Sequence, residues 1–430
     1  MPLAVHRGRW TLADRAEGVY RELPFEVPAD AAGVTATLRY DRRAGVLDLG
    51  CFGPTGFRGW SGGARDTFTV ALDGATPGYL PGPLEPGAWQ VCLGLHRVPA
   101  DGLDYELVVD LVVDPASAAR PPLPPPPWPP PPWPPAPPVP PPWSPALALP
   151  PAPPVLGVGD RPPRRALPAE PGRRWLAGDL HSHSVHSDGE LTIDELAALA
   201  AAAGLDFLAI TDHNTVSHHP YLPAAGRRAG VVLLPGQEVT RDIGHANAFG
   251  DIGWVDFRRP ADDWLSETRG RGGLLSVNHP LSGDCSWRHV MTGRPPLAEI
   301  WHRTWSDRSW GGPLAWWQAW APGALPVGGS DFHRPGDGHP LGVPTTWVQC
   351  AEDDVLGGLA DGRIAISAGR DAALLLRVGD ELVALGADGS YLVDAEGARR
   401  VVLGDRRAFP AGPGPYRLEA PDNSVLALCT

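Results

Sequence analysis

Histidine, aspartate and glutamate residues cluster at or near the ends of the apolar strands that are predicted between residues 173 and 370. The clusters are Asp179-Leu180-His181-Ser182-His183, Thr211-Asp212-His213, Gly236-Gln237-Glu238, His245, Asn278-His279-Pro280 and Ser330-Asp331-Phe332-His333. Any one histidine could be structural, but six of the 14 fall here, and burying so many ionisable groups without a metal ion would be costly. Imidazole with carboxylate suits Zn, Mn or Fe better than Ca or Mg, so the clusters predict a divalent-metal centre.

Two of the clusters repeat a spacing of two residues. Side chains at positions i and i+2 of a strand point to the same side, so His181 and His183 can hold one ion together. Asp331 and His333 have the same spacing. Each pair therefore predicts two ligands from a single strand end.

The elements that must position these residues are predicted to alternate between strand and helix over residues 173–370. Thr192 and Glu195 form a capping box for a helix that Gly204 ends. Repeated βα units predict a parallel sheet or barrel, whose functional face lies at the carboxyl ends of the strands. His245 fits this less well because it precedes its strand. The predicted strands are Leu176–His183, Phe207–Ile210, Val231–Leu234, Ala246–Phe249, Leu274–Val277, Ala298–Trp301 and Leu325–Gly328, of which only Ala298–Trp301 lacks a ligand cluster.

Three further regions flank this α/β segment. Residues 1–114 alternate in short apolar runs between turns, which predicts a β-sandwich-like domain. Residues 115–172 form a Pro-rich linker that favours polyproline II, either as a spacer or as a ligand for an SH3- or WW-like module. Residues 371–430 predict a small C-terminal β domain.

The composition excludes several kinds of chemistry. All 36 basic residues are Arg, so Schiff-base catalysis, Ser-Lys dyads and a phosphate-binding P-loop lysine are excluded. The net charge of −13 predicts that no large nucleic-acid interface forms, although a short nucleotide could enter a metal site. Five scattered cysteines indicate neither a disulfide framework nor a Cys-type zinc site. The chain shows no signal peptide or membrane span, so we expect a cytoplasmic protein without membrane contact.

The motifs DLHSHSVHSDG, LAITDHNT, GQEVT, GHANAFG, NHP and GGSDFHR, in this order, resemble the PHP (polymerase and histidinol phosphatase) family over residues 173–370. The pattern is most similar to the CehA/McbA metallohydrolase branch. The resemblance implies a distorted (β/α)7 TIM-like barrel with three divalent ions, Mn, Fe or Zn. The first ion would take His181, His183, Glu238 and Asp331; the second Glu238, His245 and His279; the third Asp188, His213 and His333, with His186 as a rival to Asp188.

Other residues are candidates for shaping the pocket. Asp179 and Asp212 adjoin ligands and could orient histidine side chains. His218 or His219 could act as a general acid or lie in a solvated loop. Four arginines could bind a phosphate or form structural ion pairs: Arg241, Arg334, Arg363 and Arg370. The Trp-rich stretch from Trp301 to Trp320 is expected to be core and lid, or else an aromatic wall.

The sequence therefore leaves three functions to compare. The first is a phosphoesterase acting on a phosphomonoester or short phosphodiester, in which metal-activated water attacks phosphorus. The second is a carboxyl-ester or carbamate hydrolase that uses the same ions on a carbon centre. The third is a non-catalytic binding or scaffold protein. The expected partner is a small-molecule or short nucleotide substrate, and the residues leave the oligomeric state open.

Overall fold

The computed structural model describes residues 2–112, 161–302, 305 and 311–430. The chain divides into two compact units, residues 1–152 and 153–430. Most of the predicted Pro-rich linker lies outside the described residues. Its last part, residues 161–172, is described and contains neither helix nor strand.

The first unit consists of two four-stranded antiparallel sheets, in the orders β1-β8-β3-β6 and β2-β7-β4-β5. Alternation of apolar and polar residues gives each sheet one buried face. Val34, Leu38, Leu93 and other fully buried side chains from both sheets form one apolar core. Its strands are Ala4–Trp10 (β1), Tyr20–Val27 (β2), Gly33–Tyr40 (β3), Val46–Gly53 (β4), Gly56–Gly62 (β5), Thr67–Ala71 (β6), Gly87–Arg97 (β7) and Leu103–Val112 (β8).

The first unit also contains a short helix, Leu12–Glu17 (α1), between β1 and β2. Thr11 caps it, and the side chain of Asp14 accepts a hydrogen bond from the backbone N–H of Thr11 in return. None of the six residues of α1, all of them described, is buried. The cap therefore stabilises the helix without support from an apolar face.

The second unit is built on one long mixed sheet. Seven of its strands stand in sequence order, from β15 back to β9, and β16 and β17 follow on the other side of β9. These strands are Arg174–Asp179 (β9), Phe207–Ile210 (β10), Val232–Arg241 (β11), Gly244–Phe249 (β12), Leu274–Val277 (β13), Leu297–His302 (β14), Leu325–Gly329 (β15), Thr345–Cys350 (β16) and Ile364–Ser367 (β17). The helices of this unit are Ile193–Ala202 (α2), Leu222–Ala229 (α3), Ala261–Gly270 (α4), Gly312–Trp320 (α5) and Val355–Ala360 (α6).

The direction of β12 differs from the parallel direction that repeated βα units predict. β12 pairs antiparallel with both β11 and β13, whereas the pairs β9–β10, β10–β11, β13–β14 and β14–β15 are parallel. A two-residue turn, Asp242-Ile243, joins β11 to β12, and so short a connection permits only a hairpin. The start of β12 consequently lies at the same sheet edge as the carboxyl ends of its neighbours, which explains why His245 lies at the start of its strand and not after its end.

The sheet does not close as a regular ring of seven parallel strands. β9 and the chain after β15 meet at one isolated parallel bridge, Ser182 with Phe332. Elsewhere β15 faces β16, where the hydroxyl of Thr346 hydrogen bonds with the backbone N–H and carbonyl of Gly328. The unit is therefore a mixed α/β structure, and the expected (β/α)7 barrel is not shown by its hydrogen bonding.

The predicted helix after the first cluster is confirmed as α2. Thr192 and Glu195 form both halves of the capping box, and Gly204, just past the helix, has a left-handed φ of 73°. Ile193, Leu196 and neighbouring side chains pack with β10 residues in one apolar cluster. This packing fixes the loop between β9 and α2, which carries the first ligand cluster.

The C-terminal strands divide between two sheets. β24 pairs with β17, so β24, β23, β20 and β21 extend the long sheet, while β18, β19 and β22 form a separate three-stranded sheet. The free edge of β17 accepts the last strand of the chain, which accounts for the difference from the predicted small β domain. The strands are Leu374–Val378 (β18), Glu381–Leu385 (β19), Tyr391–Val393 (β20), Arg399–Val401 (β21), Arg406–Pro410 (β22), Tyr416–Glu419 (β23) and Val425–Cys429 (β24).

In the part of the chain that the structure describes, each helix is too short or too polar to cross a lipid bilayer.

Candidate metal centre

The two spaced pairs lie side by side because of the bridge between Ser182 and Phe332. The strand β9 ends at Asp179, earlier than predicted, but the chain stays extended through the bridge. The backbone N–H of His183 donates to the carbonyl of Phe332 over 2.9 Å. His181 and His183 thereby face Asp331 and His333, and the ring centroids of His183 and His333 are 4.2 Å apart.

Glu238 lies at the centre of the cluster and is fully buried. Its Oε1 atom is 3.2 Å from Nε2 of His181, 3.1 Å from Nδ1 of His245 and 3.3 Å from Nε2 of His279. Its Oε2 atom is 2.7 Å from Nδ1 of His213 and 3.6 Å from Nε2 of His183. One carboxylate therefore reaches histidines delivered by β9, β10, β12 and β13.

Asp331 joins the cluster from the opposite side. Its Oδ1 atom is 3.1 Å from Nε2 of His183 and 3.3 Å from Nε2 of His181. A further group forms around Asp188, whose carboxylate is 3.6 Å from His213 and 3.4 Å from His333. The structure thus brings together all nine residues that the resemblance assigned to metal ions. His186, the rival to Asp188, instead hydrogen bonds with the hydroxyl of Ser217 over 2.8 Å.

The spacing of these atoms suits a cation between them. Metal–ligand bonds of 2.0–2.2 Å place neighbouring ligand atoms about 3.0 Å apart in an octahedron and about 3.4 Å apart in a tetrahedron. The nitrogen–oxygen separations around Glu238 and Asp331 mostly lie in this range. Among the described residues, Nε2 of His181 and Oε2 of Glu238 are buried without a hydrogen-bond partner. Such atoms are costly unless an ion satisfies them, so the residues fit divalent-metal binding.

The pKa values in the cluster shift in both directions. Burial lowers the pKa of each imidazole, but neighbouring acidic side chains outweigh burial at His181, His213 and His279, whose pKa values are raised. Burial alone would raise the pKa of Glu238, but the imidazoles of His181, His213 and His245 hold that pKa well below its usual value. Burial lowers the pKa of His183 to about 4, and the neighbouring His333 and His213 act in the same direction. An ionised carboxylate and a neutral imidazole are the forms that bind a metal ion.

Two residues of the cluster have left-handed backbone conformations. The φ angle is 24° at His279 and 53° at Asp331. Such conformations cost a non-glycine residue about 1–3 kcal/mol and are concentrated at functional sites. At both positions the turn directs a side chain from a strand end back towards Glu238 or the first histidine pair.

Sequence reasoning missed three members of the cluster: Cys285, whose Sγ atom is 3.7 Å from Nδ1 of His279, and Glu299 and His302, both on β14. Oε1 of Glu299 is 2.9 Å from Nδ1 of His181, and its Oε2 accepts a 2.8 Å hydrogen bond from the backbone N–H of His279. Nε2 of His302 is 3.2 Å from Oδ2 of Asp331. The signal was present as two ionisable residues in the apolar segment LAEIWH, but their spacing of three residues does not match a regular strand.

The structure corrects the roles expected for Asp179 and Asp212. Asp179 is buried and accepts hydrogen bonds from the backbone N–H groups of His181, Ser330 and Gly342. Asp212 accepts hydrogen bonds from the hydroxyls of Ser184 and Ser187. Both carboxylates therefore fix the loops that carry the ligands, whereas Glu299 contacts a ligand ring directly.

The structure also shows the contacts of His218 and His219, the two candidates for a general acid. His218 is fully buried, its Nε2 is 3.0 Å from the carbonyl oxygen of Ile210, and its Nδ1 is 3.0 Å from the carboxylate of Asp212. Nε2 of His219 is 2.9 Å from the carbonyl oxygen of Gly236. These contacts favour a structural role for both histidines over the role of a general acid.

The candidate phosphate-binding arginines differ in position. Arg241 ends β11 beside the two-residue turn and is half-buried. The side chain of Arg334 is 61% exposed, and its guanidinium is 3.8 Å from the carboxylate of Glu190. Arg363 pairs with Asp361 and Glu170, and Arg370 donates to the backbone carbonyl of Gly204. The last two are therefore structural, as their alternative interpretation held.

The Trp-rich stretch contributes mainly to the core. Trp301 and Trp305 stack with centroids 5.5 Å apart and pack with the buried Trp317 in one apolar cluster. Trp316 and Trp320, which are half-buried, stack at 5.0 Å along α5. These contacts agree with the expected core role, and Trp310 lies outside the described part of the chain.

Comparison with known proteins gives one family for this segment. Residues 179–265 match the family model of the PHP domain. The match spans about a fifth of the chain and includes six of the nine predicted ligands; His279, Asp331 and His333 lie beyond it. Together with the cluster of histidines and carboxylates, this match indicates divalent-metal binding.

Two curated relatives share a short stretch with the chain. A 5'-3' exoribonuclease of Haemophilus influenzae is 39% identical over 62 residues, which cover 14% of this chain and 23% of the relative. A phosphoribosyl 1,2-cyclic phosphate 1,2-diphosphodiesterase of Eggerthella lenta is also 39% identical over 62 residues, covering 14% and 24%. The chain thus spans about a quarter of the length of the curated relatives it matches.

A solved structure is similar over more of the chain. It is a two-domain protein of Bacteroides vulgatus described as containing a PHP-like metal-dependent phosphoesterase. The TM-score is 0.41 at 17% identity, and the alignment covers 63% of this chain and 98% of that protein.

Proposed function

We propose that the chain is a metal-dependent phosphoesterase that hydrolyses a phosphomonoester or a short phosphodiester with three divalent ions. The observation that carries the proposal is the convergence of nine predicted ligand residues around the carboxylates of Glu238, Asp331 and Asp188. We assign these residues to three groups, two of which share Glu238. The first group is His181, His183, Glu238 and Asp331; the second is Glu238, His245 and His279; the third is Asp188, His213 and His333. The names of both curated relatives, which describe cleavage of phosphodiesters, support phosphorus as the reacting centre.

The contacts of these residues indicate what each of them would contribute to the site. When bound, divalent ions supply Lewis acidity, which lowers the pKa of water and offsets negative charge on a phosphoryl oxygen. Glu238 touches histidines of all three groups and would set the spacing between them. Asp179 and Asp212 hold the ligand-bearing loops through backbone N–H and serine hydroxyl groups. The chain thereby contributes a fixed geometry, which is the larger part of catalysis in phosphoryl transfer.

The barrel fold and the size of the substrate are part of the same proposal. We propose that strands β9 to β15 act as a distorted (β/α)7 barrel whose carboxyl-terminal edge, completed by the start of β12, carries the site. The substrate would be a small molecule or a short nucleotide, because the net charge of −13 disfavours a long nucleic acid.

A carboxyl-ester or carbamate hydrolase of the CehA/McbA kind is the second candidate. One observation favours it: the guanidinium of Arg334 approaches Glu190, so its charge is partly compensated there. A site without a convergent cation would accept a neutral ester as readily as a phosphate.

The experiment is metal analysis followed by an activity screen of the same preparation. Protein purified without chelator and reloaded with Mn or Zn is expected to hold three ions per chain. It should hydrolyse bis-p-nitrophenyl phosphate or p-nitrophenyl phosphate, lose that activity on chelation and regain it with metal. Faster turnover of a naphthyl carbamate would favour the second candidate. A fully loaded protein that cleaves none of these substrates would contradict both and favour the non-catalytic alternative.

A further inference from the structure

The strand β14 differs from its neighbours in how it reaches the site. β9, β10, β11, β12, β13 and β15 each carry predicted metal ligands in the strand or directly after it, whereas β14 carries Glu299 and His302, which have no place in the nine-ligand set. Both side chains are nearly inaccessible, at 2% and 4% exposure. A buried carboxylate and a buried imidazole are costly, so their contacts should explain why they are there.

A bulge allows both residues to face the cluster. The register of β14 with β15 runs from Glu299–Val327 to Trp301–Gly328, so Ile300 and Trp301 together oppose a single residue. In a regular strand, positions three apart point to opposite faces, but one extra residue restores them to the same face. Ile300 and Trp301 consequently pack in the apolar core, and Glu299 and His302 both point to the ligands.

Glu299 determines how His181 is presented. A carboxylate can only accept, so Nδ1 of His181 must carry the proton in their 2.9 Å contact. The other nitrogen, Nε2, is thereby directed towards Glu238 and Asp331, at 3.2 and 3.3 Å. The second oxygen of Glu299 holds the backbone of His279, whose ring approaches the same Glu238 oxygen.

His302 acts on the carboxylate at the other side of the same ligand group. Its Nε2 is 3.2 Å from Oδ2 of Asp331, while Oδ1 of Asp331 faces the two histidines of β9. The contact fixes the rotation of the carboxylate and leaves one oxygen for an ion.

Gly329 provides independent evidence that the fold makes room for the contact between Glu299 and His181. A Cβ atom at Gly329 would lie 2.2 Å from Oε1 of Glu299 and 2.5 Å from Cβ of His181. The glycine is thus needed for space, since it does not have a positive φ. Any side chain there would separate Glu299 from His181.

We propose that Glu299 and His302 are positioning residues that orient His181, His279 and Asp331 for metal binding, with Gly329 as the space that admits them. The inference rests on the proposed metal-dependent function and names residues that act on its first ligand group. In metalloproteins, contacts of this kind are typically worth 10–100-fold in metal affinity or activity.

The test measures metal binding directly, so that it does not depend on finding a substrate. Co(II) is titrated into the metal-free full chain against a competing chelator, and the visible absorption of bound cobalt is recorded. Glu299→Gln, His302→Phe and Gly329→Ala are each expected to weaken binding by about 10–100-fold and to change the cobalt spectrum. Circular dichroism and the unfolding midpoint of the metal-free form show whether each variant is folded.

Two matched controls use the same kinds of substitution elsewhere in the unit. Asp206→Asn alters another buried carboxylate, which pairs with Arg161 and Arg164. Gly323→Ala adds a methyl group where nothing lies within 4 Å. Both should leave cobalt affinity within about threefold of the wild type.

The outcomes separate this inference from the proposed function. Folded Glu299→Gln and His302→Phe variants with wild-type cobalt affinity and spectrum would overturn the inference. If Glu299→Gln fails to fold, His302→Phe and Gly329→Ala decide the matter in the same assay. A wild-type chain that binds cobalt, responds to these variants and yet hydrolyses no ester would sustain the positioning role and reject the phosphoesterase.

Discussion

The two units differ in the partners that surround their buried carboxylates. In the first unit the buried carboxylate of Glu106 is matched by the guanidinium groups of Arg7 and Arg39, and the rest of its interior is mainly apolar. In the second unit, Glu238 and Asp331 are surrounded by imidazoles instead of guanidinium groups, and among the described residues Nε2 of His181 and Oε2 of Glu238 have no hydrogen-bond partner. The buried acid of the first unit is thus neutralised by arginines, whereas the buried acids of the second unit lie among histidines in an arrangement that fits a divalent cation.

The largest effect that follows from this contrast concerns the ligands themselves. Replacing His181 or Asp331 by alanine is expected to abolish hydrolysis and to lower the metal content, because each contributes to the first ligand group. Elemental analysis and steady-state kinetics check this. His96→Ala, an exposed histidine of the first unit, is the control and should leave both quantities unchanged. Full turnover in either site variant would refute the site assignment.

A core substitution in the first unit should lower the stability of the protein without lowering its metal content or activity. Leu93 is fully inaccessible in the apolar core, so Leu93→Ala is expected to lower the free energy of unfolding by about 2–5 kcal/mol. Chemical denaturation measures this change. Metal binding and the activity of the folded protein should stay at wild-type values, and a loss of bound metal at native conditions would show that the contrast between the units is wrong.

Acid should act on the second unit through His289. This buried histidine contacts Trp264 and Trp287, and burial lowers its pKa to about 4. Between pH 6.5 and 4 the unfolded chain binds a proton here that the folded chain does not, so the free energy of unfolding falls as the pH falls, by up to about 3 kcal/mol. His289→Gln retains a donor for the carbonyl of Gly244 and should flatten this part of the pH–stability curve. Parallel curves for the variant and the wild type would count against the prediction.

The smallest effect compares the two capping boxes. Thr192→Ala should destabilise the second unit by about 1 kcal/mol, because α2 packs its apolar face against β10 and its loss is transmitted to the core. Thr11→Ala removes an equivalent cap from α1, which buries none of its described residues, so the loss there should be smaller. Thermal unfolding of both variants measures the difference, and equal losses would contradict it.

Periodicity predicted the elements whose residues alternate or repeat clearly. The predicted strand over Phe207–Ile210 and the helix capped by Thr192 agree with β10 and α2. In β1, β2 and β5, charged residues, Pro24 and several glycines interrupt the alternation of apolar and polar residues, so periodicity does not mark these strands. The direction of β12 could not be read either, since alternation is the same in parallel and antiparallel strands.

The candidate site was predictable where its residues follow strand ends. The nine predicted ligands are brought together in space, and their roles in binding ions stay predictions. Glu299 and His302 were missed because a bulge, which no sequence period reports, puts them on one face. The role expected for Asp212 failed for a related reason: adjacency in sequence to His213 does not determine which neighbour a side chain contacts.

The reversal at β12 has a consequence for how the site could change over evolutionary time. Glu238 and His245 are seven positions apart, yet a two-residue turn delivers both to the same edge, where a βα crossover would need a whole helix. Pairing on both sides of β12 fixes its register. Residues inserted between Arg241 and Gly244 would therefore lengthen the loop beside the cluster without shifting that register. Relatives with different substrates could therefore diverge by the length of this one turn while keeping identical metal chemistry beneath it.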